Sequence, residues 1–144
     1  MRFKKLVLAV IVCGLFLIGD QVLKWQAWHG WGGAKLVGGM FGWQPFFNYG
    51  VAFGFPLPNW LVVLFTIPIL VFLIYLIVRQ GNLKNKIGLI LIFTGAVSNL
   101  VDRIFLHHTV DYLRFFTGVI NLADVLIGIG FVLIFLRKKE EAVW

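Results

Sequence analysis

Carboxylates are scarce in this chain. Only six of its 144 residues are acidic. Glu140 and Glu141 lie in a charged tail, and the other four, Asp20, Asp102, Asp111 and Asp124, sit in or beside apolar segments. Cysteine is nearly absent too. Cys13 alone excludes an internal disulfide and a cysteine-based metal site, and it reads as a small apolar side chain. Charge is low throughout, at 13% of residues against 60% hydrophobic, with a mean hydropathy of +0.93. Those values exclude an ordinary soluble globular protein. They leave an integral membrane protein, one membrane domain over 1–144. A carboxylate at membrane depth is costly, so an intramembrane aspartate usually marks function.

The net charge of +7 suggests a nucleic-acid partner, but the basic residues cluster at the ends of apolar runs. That is where orientation signals and anionic-lipid anchors stand, so no nucleic acid is expected and membrane lipid is. Four apolar stretches, Leu6–Leu23, Trp60–Val78, Ile87–Leu106 and Val119–Leu136, are each long enough to span a bilayer. Pro68 is expected to kink the second. The start, Arg2, Lys4 and Lys5 before an apolar run, also fits a cleavable signal peptide. No small-residue cleavage site follows, bulky Ile11 and Val12 precede Cys13, and the run continues to Leu23, so it reads as a retained helix. Arg2, Lys4 and Lys5, then Arg79, Lys84 and Lys86, then Arg137, Lys138 and Lys139 belong on the cytoplasmic side. The expected fold is all-α with four transmembrane helices, both ends inside.

The 24–59 segment then lies outside. Five of the six tryptophans, Trp25, Trp28, Trp31, Trp43 and Trp60, fall in it or at its edge, and tryptophan favours the membrane interface. Glycines, aromatics and Pro45 between Lys35 and Phe55 read as a small β-like interfacial segment, either a cover over a site or an ordinary interfacial loop.

The same topology puts all four aspartates at one depth. Asp20 and Asp102 lie near the outer ends of helices one and three, Asp111 in the short outer loop, and Asp124 as the sixth residue of helix four. Asp111 and Asp124 stand on opposite arms of a tight helical hairpin. Two carboxylates in one low-dielectric site do not both ionise comfortably, so they share a proton. One ionised and one protonated carboxyl are what peptide hydrolysis by water requires. The plain alternative is that each aspartate caps or ties a helix end. Asn99 and Arg103, spaced i,i+4, share a helix face. Asn121 precedes Asp124 by three, and Asn48 lies in the outer segment. Each is also explained by a helix–helix hydrogen bond. His107 and His108 have no third ligand spaced to join them, so no metal is expected.

Five blocks in order now resemble the lipoprotein signal peptidases (signal peptidase II): Asp20-Gln21 with Lys24, NYGVAFG over 48–54, GAVSNLVDR over 95–103, VDY over 110–112, and NLAD over 121–124. The resemblance covers most of the chain. It implies catalysis by Asp111 and Asp124, and substrate contact or site ordering by Asn48, Asn99, Arg103 and Asn121. Asp20, Lys24, Gly50 and Asp102 become structural supports. It further implies an aspartic endopeptidase of the bacterial cytoplasmic membrane, and a monomer is expected. Such an enzyme uses no cofactor or metal, and its site lies toward the outer face. It removes the signal peptide from diacylglyceryl-modified prolipoproteins, cutting before the lipidated cysteine. Ile120 departs from the family's usual Phe, and Val125 from a small or polar residue. The connection between Asp111 and Asp124 is also short, which bears on the shape of the outer hairpin. A proton- or ion-coupled transporter is the leading alternative. It would need polar groups through the whole bilayer, and the inner two-thirds reads as dry. A lipid-holding assembly factor is a third reading, one that would survive loss of both aspartates.

Overall fold

The computed structural model describes residues 2–50 and 55–135. Val51–Gly54 of the second block, Leu136 and the charged residues from Arg137 to Glu141 lie outside the described residues. Among the described residues there are four helices: α1 (Arg2–Trp28), α2 (Asn59–Arg79), α3 (Leu83–Phe105) and α4 (Leu122–Phe135). At about 1.5 Å per residue, α1 to α3 run roughly 30–40 Å, enough to cross a hydrocarbon core of about 30 Å. All three are long and apolar enough to do so, while α4 is described for 14 residues. The outward faces of α1 and α2 carry exposed Leu8, Leu15, Phe65, Phe72 and Val78. In water such faces would aggregate; in a bilayer they are solvated. The chain is an integral membrane protein.

Helix α1 outruns its expected end at Leu23 by five residues. It stops where Gly30 takes φ 69°. The Gly30 N–H donates to the Ala27 carbonyl and the Trp31 N–H to the Gln26 carbonyl, a Schellman closure that needs the left-handed residue. Helix α2 continues through Pro68 to Arg79. Helix α3 begins at an Asn82 cap, whose side chain accepts from the Asn85 N–H, and it is the central helix, packing against the other three. Its closest neighbour is α4. A side chain at Gly95 would run into the Ala123 carbonyl and Ile127, and one at Gly88 or Gly130 into the facing backbone. Small residues let the two helices approach this closely, which brings Asn99 opposite the start of α4.

The expectation of an all-α protein is corrected. An antiparallel sheet caps one end of the helices in the order β1 (Lys35–Val37), β2 (Phe41–Asn48), β3 (Thr109–Phe115), β4 (Gly118–Ile120). The interfacial segment supplies two strands, as its composition suggested. The other two come from 107–120, read as a loop and the start of helix four. Val119 and Ile120 pair with Arg114 and Leu113, so α4 starts at Leu122, not Val119. The cause is Asn121, whose side chain caps the helix and fixes where it begins. Val110 and Tyr112 turn one face of β3 into a cluster with Ala27, Leu23, Trp43 and Leu122. By strand alternation Asp111 points the other way.

Candidate active site

Asp124 is the third residue of α4, not the sixth, because of that cap. Its backbone N–H donates to Asn121 Oδ1 at 2.9 Å, and its Oδ2 accepts from the Asn121 N–H at 3.2 Å. This is a reciprocal capping box. Its other oxygen accepts from Asn99 Nδ2 at 3.0 Å. So Asp124 does tie a helix end, as the plain alternative held. It is also the one aspartate of the four that is not fully buried.

Asp111 lies on β3 rather than in a loop, and reaches the same asparagine from the other side. Asn121 Nδ2 donates to Asp111 Oδ1 at 2.7 Å, so a single residue binds both carboxylates. The second oxygen accepts from Asn48 Nδ2 at 3.2 Å. That contact depends on a fault in the sheet. Trp43 pairs with Leu113 and Phe46 with Asp111, so β2 carries one extra residue around Gln44 and Pro45. Proline has no N–H to give a ladder and tolerates such a bulge. Without the extra residue Asn48 would turn to the opposite face. With it, Asn48 pairs with Thr109 and lies diagonal to Asp111. Burial, then the neighbouring Asp124 charge, pushes the Asp111 carboxyl up to about 6, against the amide hydrogen bonds of Asn48 and Asn121 and the charge of Lys24.

The other two aspartates form a second cluster beside the first. Lys24 Nζ stands 3.0 Å from Asp20 Oδ2 and 3.0 Å from Asp102 Oδ2, and is 2% exposed. Asp20 Oδ1 accepts from the Leu122 and Ala123 N–H groups at 3.1 and 3.3 Å and from the Tyr112 hydroxyl at 2.8 Å. A carboxylate there satisfies the unpaired amides of a helix N-terminus and complements its dipole. Asp102 accepts from the Val110 N–H at 3.1 Å and from Gln21 at 3.1 Å. Asp20 therefore anchors the helix that carries Asp124, and Asp102 anchors the strand that carries Asp111. Lys24 also donates to Asn99 Oδ1 at 2.9 Å, which accepts from Asn121 as well. All four aspartates join one hydrogen-bonded network.

Arg103 lies at the edge of this network. Its Nη2 donates to the Gly50 carbonyl at 2.5 Å, and Nη1 to Asn59 Oδ1 at 3.4 Å, while Asn59 Nδ2 returns a bond to the Arg103 carbonyl. The sites expected at Asn48, Asn99, Arg103, Asn121, Asp20, Lys24, Gly50 and Asp102 thus all gather around Asp111 and Asp124. The asparagines point at the aspartates, and Arg103 ties the end of the outer segment. Sequence reasoning passed over Ser98, Gln21, Tyr112 and Asn59. Ser98 donates to Asp20 at 2.6 Å, and Gln21 donates to Ser98 and Asp102. Both fall inside quoted blocks, Ser98 four residues before Asp102 and Gln21 three before Lys24, a signal available from helical spacing. Asn59, 44 residues from Arg103, had none.

The signal peptidase (SPase) II family model matches residues 11–138. The chain belongs to that family. The lipoprotein signal peptidase of Syntrophus aciditrophicus is 35% identical over 156 residues, covering 96% of this chain and 97% of its own. That of Bartonella tribocorum is 35% identical over 101 residues, 63% of this chain and 60% of the relative. A solved bacterial membrane enzyme shares the fold, with a TM-score of 0.81 and 23% identity over 92% of this chain and 93% of that one.

Proposed function

We propose that this chain is a lipoprotein signal peptidase, an aspartic endopeptidase that removes signal peptides from prolipoproteins. Membership of the signal peptidase II family supports the reaction class, and it lends nothing to the transporter alternative. The observation that carries the site is Asn121 holding both Asp111 and Asp124 among neutral amides.

In this reading the ionised carboxyl takes a proton from water as the water oxygen attacks the scissile carbonyl. The protonated one hydrogen-bonds the carbonyl oxygen, and a proton then passes to the leaving amide nitrogen as the C–N bond breaks. Asn121 orders the pair, and Asn48 and Asn99 also offer amides to a substrate backbone. Arg103 holds the Gly50 end of the outer segment in place. Asp20, Lys24 and Asp102 support the elements that carry the pair. The substrate is a precursor bearing a diacylglyceryl cysteine, cleaved before that residue. The chain acts as one membrane domain and as a monomer, with four spans and both ends in the cytoplasm of a bacterium. That orientation puts the sheet and the aspartates at the outer face of the cytoplasmic membrane.

The test replaces Asp111 or Asp124 with Asn and measures cleavage of a lipidated precursor in detergent or vesicles. Loss in both variants is expected. Near-normal turnover by either would remove that residue from the pair.

A further inference from the structure

His108 is buried to 3% exposure and takes no part in the carboxylate network. Its Nε2 is the buried side-chain polar atom that finds no partner among the described residues. Buried polar atoms are normally satisfied, so something other than hydrogen bonding at that nitrogen keeps the ring inside. His107, at φ 65°, bends the chain after α3 and turns the His108 ring inward. There it meets three aromatic rings from separate parts of the fold. Trp28, the last residue of α1, stacks on it at 5.2 Å between centroids and 19° between planes. Phe47 of β2 lies at 5.2 Å and Tyr49, just past β2, at 4.8 Å. Burial lowers the proton affinity of the imidazole. The Leu106 backbone and Asp102 oppose that, and Arg103 and His107 add to it. At neutral pH the ring is an uncharged flat surface.

Phe47 and Tyr49 are the two neighbours of Asn48, and Asn48 donates to Asp111. Thr109, next to His108, donates to the Asn48 carbonyl at 3.4 Å. The His108 ring therefore packs against both sides of the residue that grips Asp111. The geometry points to His108 as a positioning residue: wedged between Trp28 and the Phe47–Tyr49 pair, it holds the end of β2 so that the Asn48 amide meets Asp111. The inference rests on the catalytic reading of Asp111 and adds a residue that touches neither carboxylate.

The test compares His108→Ala, His108→Phe and Asn48→Ala in full-length protein, using kcat and KM for a lipidated precursor across pH. His108→Ala lowers kcat on the order of tenfold, the scale of a modest misplacement, with KM little changed. His108→Phe keeps the flat ring and restores kcat. Asn48 lowers the proton affinity of Asp111, so the limb of the pH profile that reports Asp111 moves to higher pH in His108→Ala and in Asn48→Ala alike. The double variant His108→Ala with Asn48→Ala is no worse than Asn48→Ala alone. A merely structural histidine would give additive losses and an unmoved limb. If the alanine variant does not fold, His108→Leu replaces it, filling much of the volume without a flat face, and should show the same limb shift. Wild-type kcat and limb in His108→Ala, or additivity with Asn48→Ala, overturns the inference. Failure of the catalytic reading is a separate result, namely turnover by Asp111→Asn.

Discussion

Two pairs of aspartates, a few ångströms of hydrogen bonding apart, are treated in opposite ways. Asp20 and Asp102 share a buried cation, Lys24, and each also accepts a backbone N–H. Among the described residues Asp111 and Asp124 have no cation in contact, and their side-chain donors are the amides of Asn48, Asn99 and Asn121. A carboxylate held by a lysine has its charge matched in place. A carboxylate held by asparagines keeps its hydrogen bonds but not a counter-charge, so it remains able to gain and lose a proton. Burial alone does not separate the two pairs, because Asp20 is 0% exposed and Asp111 2%. The partner's charge does.

If that contrast is right, neutralising one member should act on different quantities in the two clusters. Asp111→Asn and Asp124→Asn should each cut turnover by about 1,000-fold, the scale of general acid–base catalysis, while the protein still folds. A cleavage assay paired with thermal unfolding measures both, and unfolding of either variant under assay conditions would contradict the division. Lys24→Met should do the reverse. It leaves two buried carboxylates without their cation, which costs about 3–5 kcal/mol when a buried ion pair is broken. Denaturant unfolding in detergent should show that loss. A Lys24→Met protein as stable as wild type would mean that the lysine is not what compensates Asp20 and Asp102.

Much of this arrangement is legible in the sequence, and the reason is local. Asn99 with Arg103, and Asn121 with Asp124, sit at helical spacings that fix their faces. Hydropathy and basic residues placed helices one to three to within a few residues and predicted that the four aspartates would converge. What could not be read depends on contacts across the chain. Val119 and Ile120 are apolar enough to extend a helix, and only pairing with β3 makes them strand. The Gln44–Pro45 bulge exists only relative to a partner some 70 residues away. The task of Asp20, holding the first amides of α4 from 102 residues off, follows from how α1 packs and has no sequence signature. His107 and His108 side by side suggest a metal pair; the aromatic rings that explain His108 come from α1 and from β2 and the residue after it.

The contrast also has a pH signature. Folding raises the Asp111 carboxyl from 3.8 to about 6, through burial first and Asp124 second. A group whose proton affinity rises on folding favours the native state below its unfolded value and loses that contribution as pH climbs through the folded value. Wild-type stability relative to Asp111→Asn should therefore fall between about pH 4 and pH 6, by about 3 kcal/mol for a two-unit shift. Unfolding of both proteins across that window measures it. A difference that stays flat from pH 4 to 7 would show that Asp111 pays no penalty for ionising in the fold.

The smallest expected effect tests the boundary between the two clusters. Tyr112 is fully buried, and its hydroxyl donates to Asp20 at 2.8 Å while accepting from the Leu122 N–H at 3.1 Å. Tyr112→Phe removes that hydroxyl, yet Asp20 Oδ1 still accepts from Leu122 and Ala123. Lys24 still neutralises the carboxylate, so no charge is stranded. The cost should be that of one hydrogen bond to a charged acceptor, about 1.5–3 kcal/mol, below that of Lys24→Met. Turnover should hold, because the start of α4, and with it Asn121 and Asp124, remains anchored by Asp20. A Tyr112→Phe protein that melts like wild type but cleaves far more slowly would place the tyrosine with the proposed catalytic pair. It would mean that Asp20 acts on the chemistry through that hydroxyl as well as holding the helix.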